Sequence, residues 1–229
     1  MSGADIFAFL LGLNLDYEGF DWLEGRGLSE FEILASVILT QNTKWENVLR
    51  ALANLRAAKI SNLRALNALS EAQIATLIKP SGFYNVKARR LKGFISALLA
   101  EFKDLEDFKA GVSRDWLLGI KGLGQESVDA ILNYLCRREI LVIDSYTARL
   151  SVALGYEFED YEALQDFFQS GLELEQERLC ALLGKHFELY ELYQIFHALI
   201  TAFAKAYFKG ATLKEEGRAI LQGFLNSKL

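Results

Sequence analysis

The chain has one proline, two cysteines and two histidines in 229 residues, and each shortage excludes something. With proline only at position 80, helices can run without the breaks imposed by a ring that lacks an N–H. Cys136 and Cys180 are too few for a disulfide framework or a four-cysteine cluster, and each lies in an apolar helical context that reads as a buried thiol. His186 and His197 have neither a cysteine nor a paired carboxylate at ligand spacing, which argues against a metal centre built on them. No apolar run is long enough to span a bilayer. The apolar stretch Ile6 to Leu13 follows Asp5 rather than a basic leader, so the chain is expected in a reducing, cytoplasmic compartment without a membrane. A basic excess is also missing. The formal net charge of −5 counts against a protein held to nucleic acid by overall charge alone.

What is present is hydrophobic content of 52 %, enough to bury a sizeable core. Apolar residues recur at helical spacing and no stretch alternates with period two, so the expected class is all-α. A first helix is expected over Asp5 to Leu13. Ser29-x-x-Glu32 forms a capping box ahead of Ile33, Leu34, Val37 and Ile38, with that helix ending near Thr40. Thr43 reads as the N-cap of the next helix, and turns are expected near Lys59 and Ser70. Further helices are expected over 161–168, 172–183, 187–208 and 212–225, and the stripe Tyr190, Tyr193, Phe196, Ile200 and Phe203 reads as core rather than site.

Two stretches carry more than packing. In Leu118-Gly119-Ile120-Lys121-Gly122-Leu123-Gly124, two glycines flank one leucine in a tight turn. The stripe Val128, Ile131, Leu132 and Leu135 then marks a helix beginning at Gln125. A helix start presents unpaired N–H groups at the positive end of its dipole, so Lys121, Gly122, Gly124 and Gln125 are candidate phosphate contacts. The second stretch, Lys79 to Lys92, holds Lys79, Lys87, Arg89, Arg90 and Lys92 and no acidic residue. Lys87 and Arg90 are the candidates within it for reaching a phosphate. Eighteen residues after Glu126 stands Asp144, opening a helix that ends at Gly155.

The hairpin with its downstream aspartate, the polar junction Gln41-Asn42-Thr43-Lys44-Trp45 and the segment Gly82-Phe83-Tyr84-Asn85-Val86-Lys87-Ala88 together resemble the endonuclease III-like, helix-hairpin-helix superfamily of DNA base-excision glycosylases. They are most similar to its bacterial 3-methyladenine DNA glycosylases that lack an iron–sulfur cluster. The hairpin departs from the family's Leu-Pro-Gly pattern in carrying Lys121 for proline. The resemblance implies two helical subdomains, residues 1–28 with 135–229 and residues 29–134, the second containing the hairpin at 118–131. Asp144 would stand at the cleft between them as the catalytic residue, with Lys205 approaching it. Gln41 and Asn42 would enter the gap left by an extruded nucleotide. Trp45 would wall the base pocket, with Trp22 and Arg26 at neighbouring family positions, although a cationic Arg26 would oppose a cationic base. The carbonyls of Leu118, Ile120 and Leu123 would hold a monovalent cation; no other cofactor is implied. The implied partner is duplex DNA containing a damaged base, met by a monomer.

Glu126 decides the reaction type. It occupies the position where the strand-cutting relatives carry a lysine that forms a Schiff base, and a carboxylate cannot form an imine. The resemblance therefore implies a monofunctional glycosylase without AP-lyase activity. Neither a second carboxylate nor a histidine is evident in the sequence to protonate a leaving base. That favours bases already carrying positive charge, such as 3-methyladenine, which an electron-rich ring can recognise. Two alternatives stay open: a mismatch or uracil glycosylase, and a non-catalytic module that uses the hairpin only to hold DNA.

Overall fold

The structure is a computed structural model that describes residues 1–17 and 27–228. Trp22 and Arg26, and the aromatic loop residue Phe20, lie outside the described residues. The fold is all-α, with fourteen α-helices among the described residues. In chain order these are α1 (Gly3–Leu11), α2 (Glu30–Leu39), α3 (Trp45–Ala57), α4 (Leu63–Asn67), α5 (Glu71–Leu77), α6 (Tyr84–Glu101) and α7 (Leu105–Gly111). There follow α8 (Arg114–Leu118), α9 (Gln125–Ala130), α10 (Ser145–Ala153), α11 (Tyr161–Gln169), α12 (Gln176–Leu183), α13 (Leu189–Tyr207) and α14 (Glu215–Asn226). Strands β1 (Phe208–Lys209) and β2 (Thr212–Leu213) form one antiparallel hairpin. Thr212, expected to begin the last helix, therefore lies in a strand, because Gly210 at φ +61° turns the chain back on itself. No helix among the described residues is long and apolar enough to cross a membrane.

The chain divides into two compact units, Gly25–Cys136 and Met1–Glu24 with Arg137–Leu229. In the first, Leu34, Ile38, Leu52, Leu91, Phe94, Leu98, Phe108 and Val128 are buried, each on the inward stripe of its helix. The Ser29–Glu32 capping box forms in both directions, with Ser29 N–H donating to Glu32 at 2.8 Å and Glu32 N–H to the Ser29 hydroxyl at 3.3 Å. The second unit joins the two ends of the chain. Its first helix starts earlier than the sequence suggests, because Ser2 caps it and Asp5 returns the bond as the third helical residue. Gly3 lies so close to α11 that a Cβ there would come within 1.8 Å of the Phe168 carbonyl oxygen. Around α13, a core of Phe7, Leu10, Phe168, Leu192, Phe196, Leu199 and Phe203 closes over both chain ends.

Candidate active site

In the unit Gly25–Cys136, the hairpin is held by its two helices. Ser113 caps α8 by accepting the Trp116 N–H at 3.1 Å, and Trp116 packs edge-to-face on Phe102, centroids 5.2 Å apart. Arg114 on α8 binds the fully buried Asp129 on α9 through two bonds of 2.8 and 3.3 Å. Between these helices Gly122 takes φ +99° and Leu123 turns inward, 8 % exposed. Gly124 starts α9 without a side-chain cap bond, and Lys121 beside it is exposed. The last turn of this helix, Ile131–Leu135, widens to π geometry.

Gln41 is tied to this hairpin. Its amide nitrogen donates to the Gly122 carbonyl and the Ser127 hydroxyl, both at 3.1 Å, while its oxygen accepts from Arg90 at 2.7 Å. The residue expected to enter a duplex is here docked against its own protein, because a planar amide with two donors and an acceptor can bridge a guanidinium and a carbonyl at once. Asn42 is exposed at φ +52°. Thr43 does not cap α3, whose cap position is Lys44 without a side-chain bond; its hydroxyl donates instead to the Ser81 carbonyl. Trp45 is half-buried, and its indole N–H is buried without an acceptor among the described residues.

The basic segment does not form the free patch its composition suggests. Lys87, expected to reach a phosphate, is 2 % exposed and donates to the carbonyls of Leu39 and Ser81 at 2.8 and 2.7 Å. Burial, and then the charge of Arg90, push its pKa down to about 8. The physical reason is that the end of α2 leaves carbonyls inside the unit that need a donor. Lys92 serves the carbonyls of Asn67 and Leu69, Arg89 faces Glu71 at 3.6 Å and Arg90 holds Gln41. What the segment does expose was not singled out from sequence. Phe83 stands 72 % exposed at φ +45°, the uncapped start of α6. The signal was an aromatic side chain between a glycine and a helix start. Thr43 and Ser81 join the approach to α6 with the approach to α3, and Gln41 joins the latter to the hairpin.

In the other unit, Asp144 sits at the end of an anchored segment. Leu141 N–H donates to Gln169 at 2.8 Å, Gln165 donates to the Leu141 carbonyl at 2.7 Å and Ile143 N–H donates to the Tyr161 hydroxyl at 3.3 Å. Asp144 then caps α10. Its Oδ1 accepts from the N–H groups of Tyr146 and Thr147, both at 2.9 Å, and from the Thr147 hydroxyl at 3.1 Å. Oδ2 takes none of these three bonds and faces His197 of α13, with Nε2 3.6 Å away. Both side chains are 14 % exposed. Burial acts to raise the Asp144 pKa, but the imidazole and the Thr147 donors outweigh it and hold the carboxyl below its ordinary value.

His197 is the neighbour that sequence reasoning missed. The 53 positions separating it from Asp144 carry no local signal, and only the packing of α10 on α13 joins them. Lys205, expected to approach Asp144, is exposed eight residues further along α13, about 12 Å along the helix axis from His197. Of the three hairpin carbonyls expected to hold a cation, that of Ile120 accepts the Leu123 N–H at 3.1 Å, which leaves it one lone pair for an ion. Three such oxygens are hard donors of the kind that suit a group 1 cation.

An all-α chain with a glycine hairpin between two clamped helices, and an aspartate with one oxygen pinned and the other spared, has the parts of a base-excision enzyme. The chain belongs to the HhH-GPD superfamily of base excision DNA repair proteins, whose family model matches residues 35–173. It is 32 % identical over 208 residues to a candidate DNA repair glycosylase from Methanocaldococcus jannaschii, covering 87 % of each chain. Among solved structures it is similar to the Helicobacter pylori 3-methyladenine DNA glycosylase MagIII bound to 1,N6-ethenoadenine, at 38 % identity and TM-score 0.84. That match covers 91 % of this chain and all of the other. A trapped endonuclease III–DNA intermediate, at 18 % identity and TM-score 0.65 over 96 % of this chain and 98 % of that one, shares the fold.

Proposed function

We propose that this DNA repair glycosylase is monofunctional and hydrolyses the N-glycosidic bond of alkylated purines such as 3-methyladenine in duplex DNA. The observation that carries the chemistry is the inequality of the two Asp144 oxygens. Oδ1 is spent on the start of α10, which anchors the carboxylate, while Oδ2 is left for a reacting group. As the glycosidic bond breaks, its electron pair leaves with the base and positive charge grows on the sugar. A fixed carboxylate stabilises that charge and draws a proton from the water whose oxygen bonds to the sugar carbon. A purine nucleotide alkylated at a ring nitrogen, as in 3-methyladenine, is already cationic, so the electron pair neutralises the departing base and no acid is required. Glu126, exposed at the second position of α9, offers no amine for an imine and therefore no route to strand cutting.

Similarity to the 3-methyladenine glycosylase from Helicobacter pylori supports the substrate class. In this reading Trp45, with its unsatisfied indole N–H, walls the base pocket, and the exposed Phe83 and Asn42 meet the duplex ahead of Gln41. The uncapped start of α9, with Lys121, receives a backbone phosphate. A monovalent cation, when bound by the carbonyls of Leu118, Ile120 and Leu123, would add positive charge beside it.

The test is base release from duplex DNA treated with a methylating agent, with products separated chromatographically. Wild type should free 3-methyladenine and leave intact abasic strands, with nothing trapped by borohydride. Asp144→Asn should lose roughly 10²- to 10⁴-fold in rate while still binding DNA. Release of uracil or a mismatched base instead would replace the substrate class. Unchanged release by Asp144→Asn would remove the mechanism.

A further inference from the structure

We infer that His197 is a positioning residue for the reaction, holding the free oxygen of Asp144 in its working direction and ionised state. The inference rests on Asp144 being the catalytic carboxylate. Three donors converge on Oδ1, and all of them come from α10 itself. They anchor the carboxylate through Oδ1 but give Oδ2 no donor, so nothing from α10 opposes a proton on that oxygen. His197 arrives from a different helix, and among the described residues its Nε2, 3.6 Å away, is the titratable group that faces Oδ2. Tyr161, from α11, stops one residue short, at the Ile143 N–H. An Nε2–H directed at Oδ2 supplies what α10 cannot, a donor on the reacting side.

The half-burial of both groups strengthens the effect. At 14 % exposure water screens the contact poorly, and an imidazole N–H beside a carboxylate is worth more than on an open surface. The same burial would otherwise favour a protonated, neutral Asp144, which could neither stabilise a sugar cation nor accept a proton from water. A positioning residue that opposes protonation therefore protects the reactive form. The core around it explains why the imidazole stays aimed. Phe196 and Ile200 beside it are fully buried, so α13 cannot roll to turn His197 away.

The test compares His197→Gln with His197→Asn. Glutamine places its amide nitrogen where Nε2 stands, whereas asparagine places it nearer the position of Nδ1. Both are polar and short enough to keep the fold, which thermal midpoints check. We expect His197→Asn to lose about 10-fold in single-turnover base release, the scale of one largely buried polar contact to a carboxylate, with DNA affinity unchanged. His197→Gln should recover to within about threefold of wild type on the same scale. The acid limb of the His197→Asn rate profile should move to higher pH, because its Asp144 protonates more readily. Equal rates in the two variants, whether both high or both low, overturn the inference. Asp144→Asn is measured alongside: if it keeps the wild-type rate, the reading of Asp144 fails and this one with it. If it is inactive while His197→Asn is fully active, only the role of His197 fails.

Discussion

Gly122→Ala tests the hairpin most sharply, because two independent costs meet at one atom. The residue sits at φ +99°, where an L side chain costs roughly 1–2 kcal/mol. Its Cβ would also fall 2.6 Å from Cδ and 2.8 Å from Cγ and Nε of Arg90, so the arginine stem must move. Moving it endangers the 2.7 Å bond to Gln41, a charge-assisted contact worth about 1.5–3 kcal/mol. The sum is about 3 kcal/mol, since the flexible stem will recover part of the bond. Gly124→Ala is the control: its φ is −103° and nothing lies within 4 Å of the added Cβ, so its cost should stay under about 1 kcal/mol. Urea unfolding followed by tryptophan fluorescence would read both. Introducing Gly122→Ala into an Arg90→Ala background should cost only the backbone part, about 1–2 kcal/mol, because the obstructing stem is gone. The reasoning is refuted if the two glycines cost the same, or if Gly122→Ala costs as much without Arg90 as with it.

Asp129→Ala should cost about 3–5 kcal/mol, the penalty for breaking a buried pair from one side, and denaturant midpoints will show it. Asp129→Asn should cost less, since it keeps the shape and one acceptor. The pH dependence is signed by three groups. Unfolded Lys87 keeps its proton to about 10.4 while the folded form loses it at about 8, so between these values the unfolded state binds more protons and stability rises with pH. Burial, helped by Glu139 and Glu173, raises Tyr193 to about 12, so above about 10 the folded state binds more protons and stability falls. Lys87→Met should lack the rise, measured as urea midpoints at the two ends of that window. Asp5 is held at about 2, first by the Lys228 ammonium, so its contribution is present above about 4 and lost on acidification toward 2. Lys228→Ala should reduce that acid-side loss.

The helices were legible because their information is local. Ser29 and Glu32 cap α2 from three residues apart, Gly155 takes φ +86° just past α10, and each apolar stripe repeats within one or two turns. The turn at Gly122 was legible for the same reason, since glycine answers a steric demand at its own φ. Charge was not. A run of five cations with no acid between them looks like a patch, yet Lys87 and Lys92 point into carbonyls supplied from other parts of the chain. Which face a cation takes depends on where unpaired acceptors happen to be, and no spacing within the run records that. Lys205 lies on the same helix as His197, which faces Asp144 from two turns earlier, and no spacing within the helix records which of the two does so.

The sequence by itself determined an all-α chain, a hairpin that needs glycine at 122 and an aspartate placed to start a helix. These follow from backbone sterics, short-range periodicity and the chemistry of single side chains. Only the tertiary structure decided that Gln41 docks on Arg90 and the hairpin, that Lys87 is buried, that Phe83 is exposed and that His197 faces the spared oxygen of Asp144. Those outcomes depend on which helices converge, and a contact between residues 53 positions apart is written in the packing of α10 on α13 and not in either segment alone.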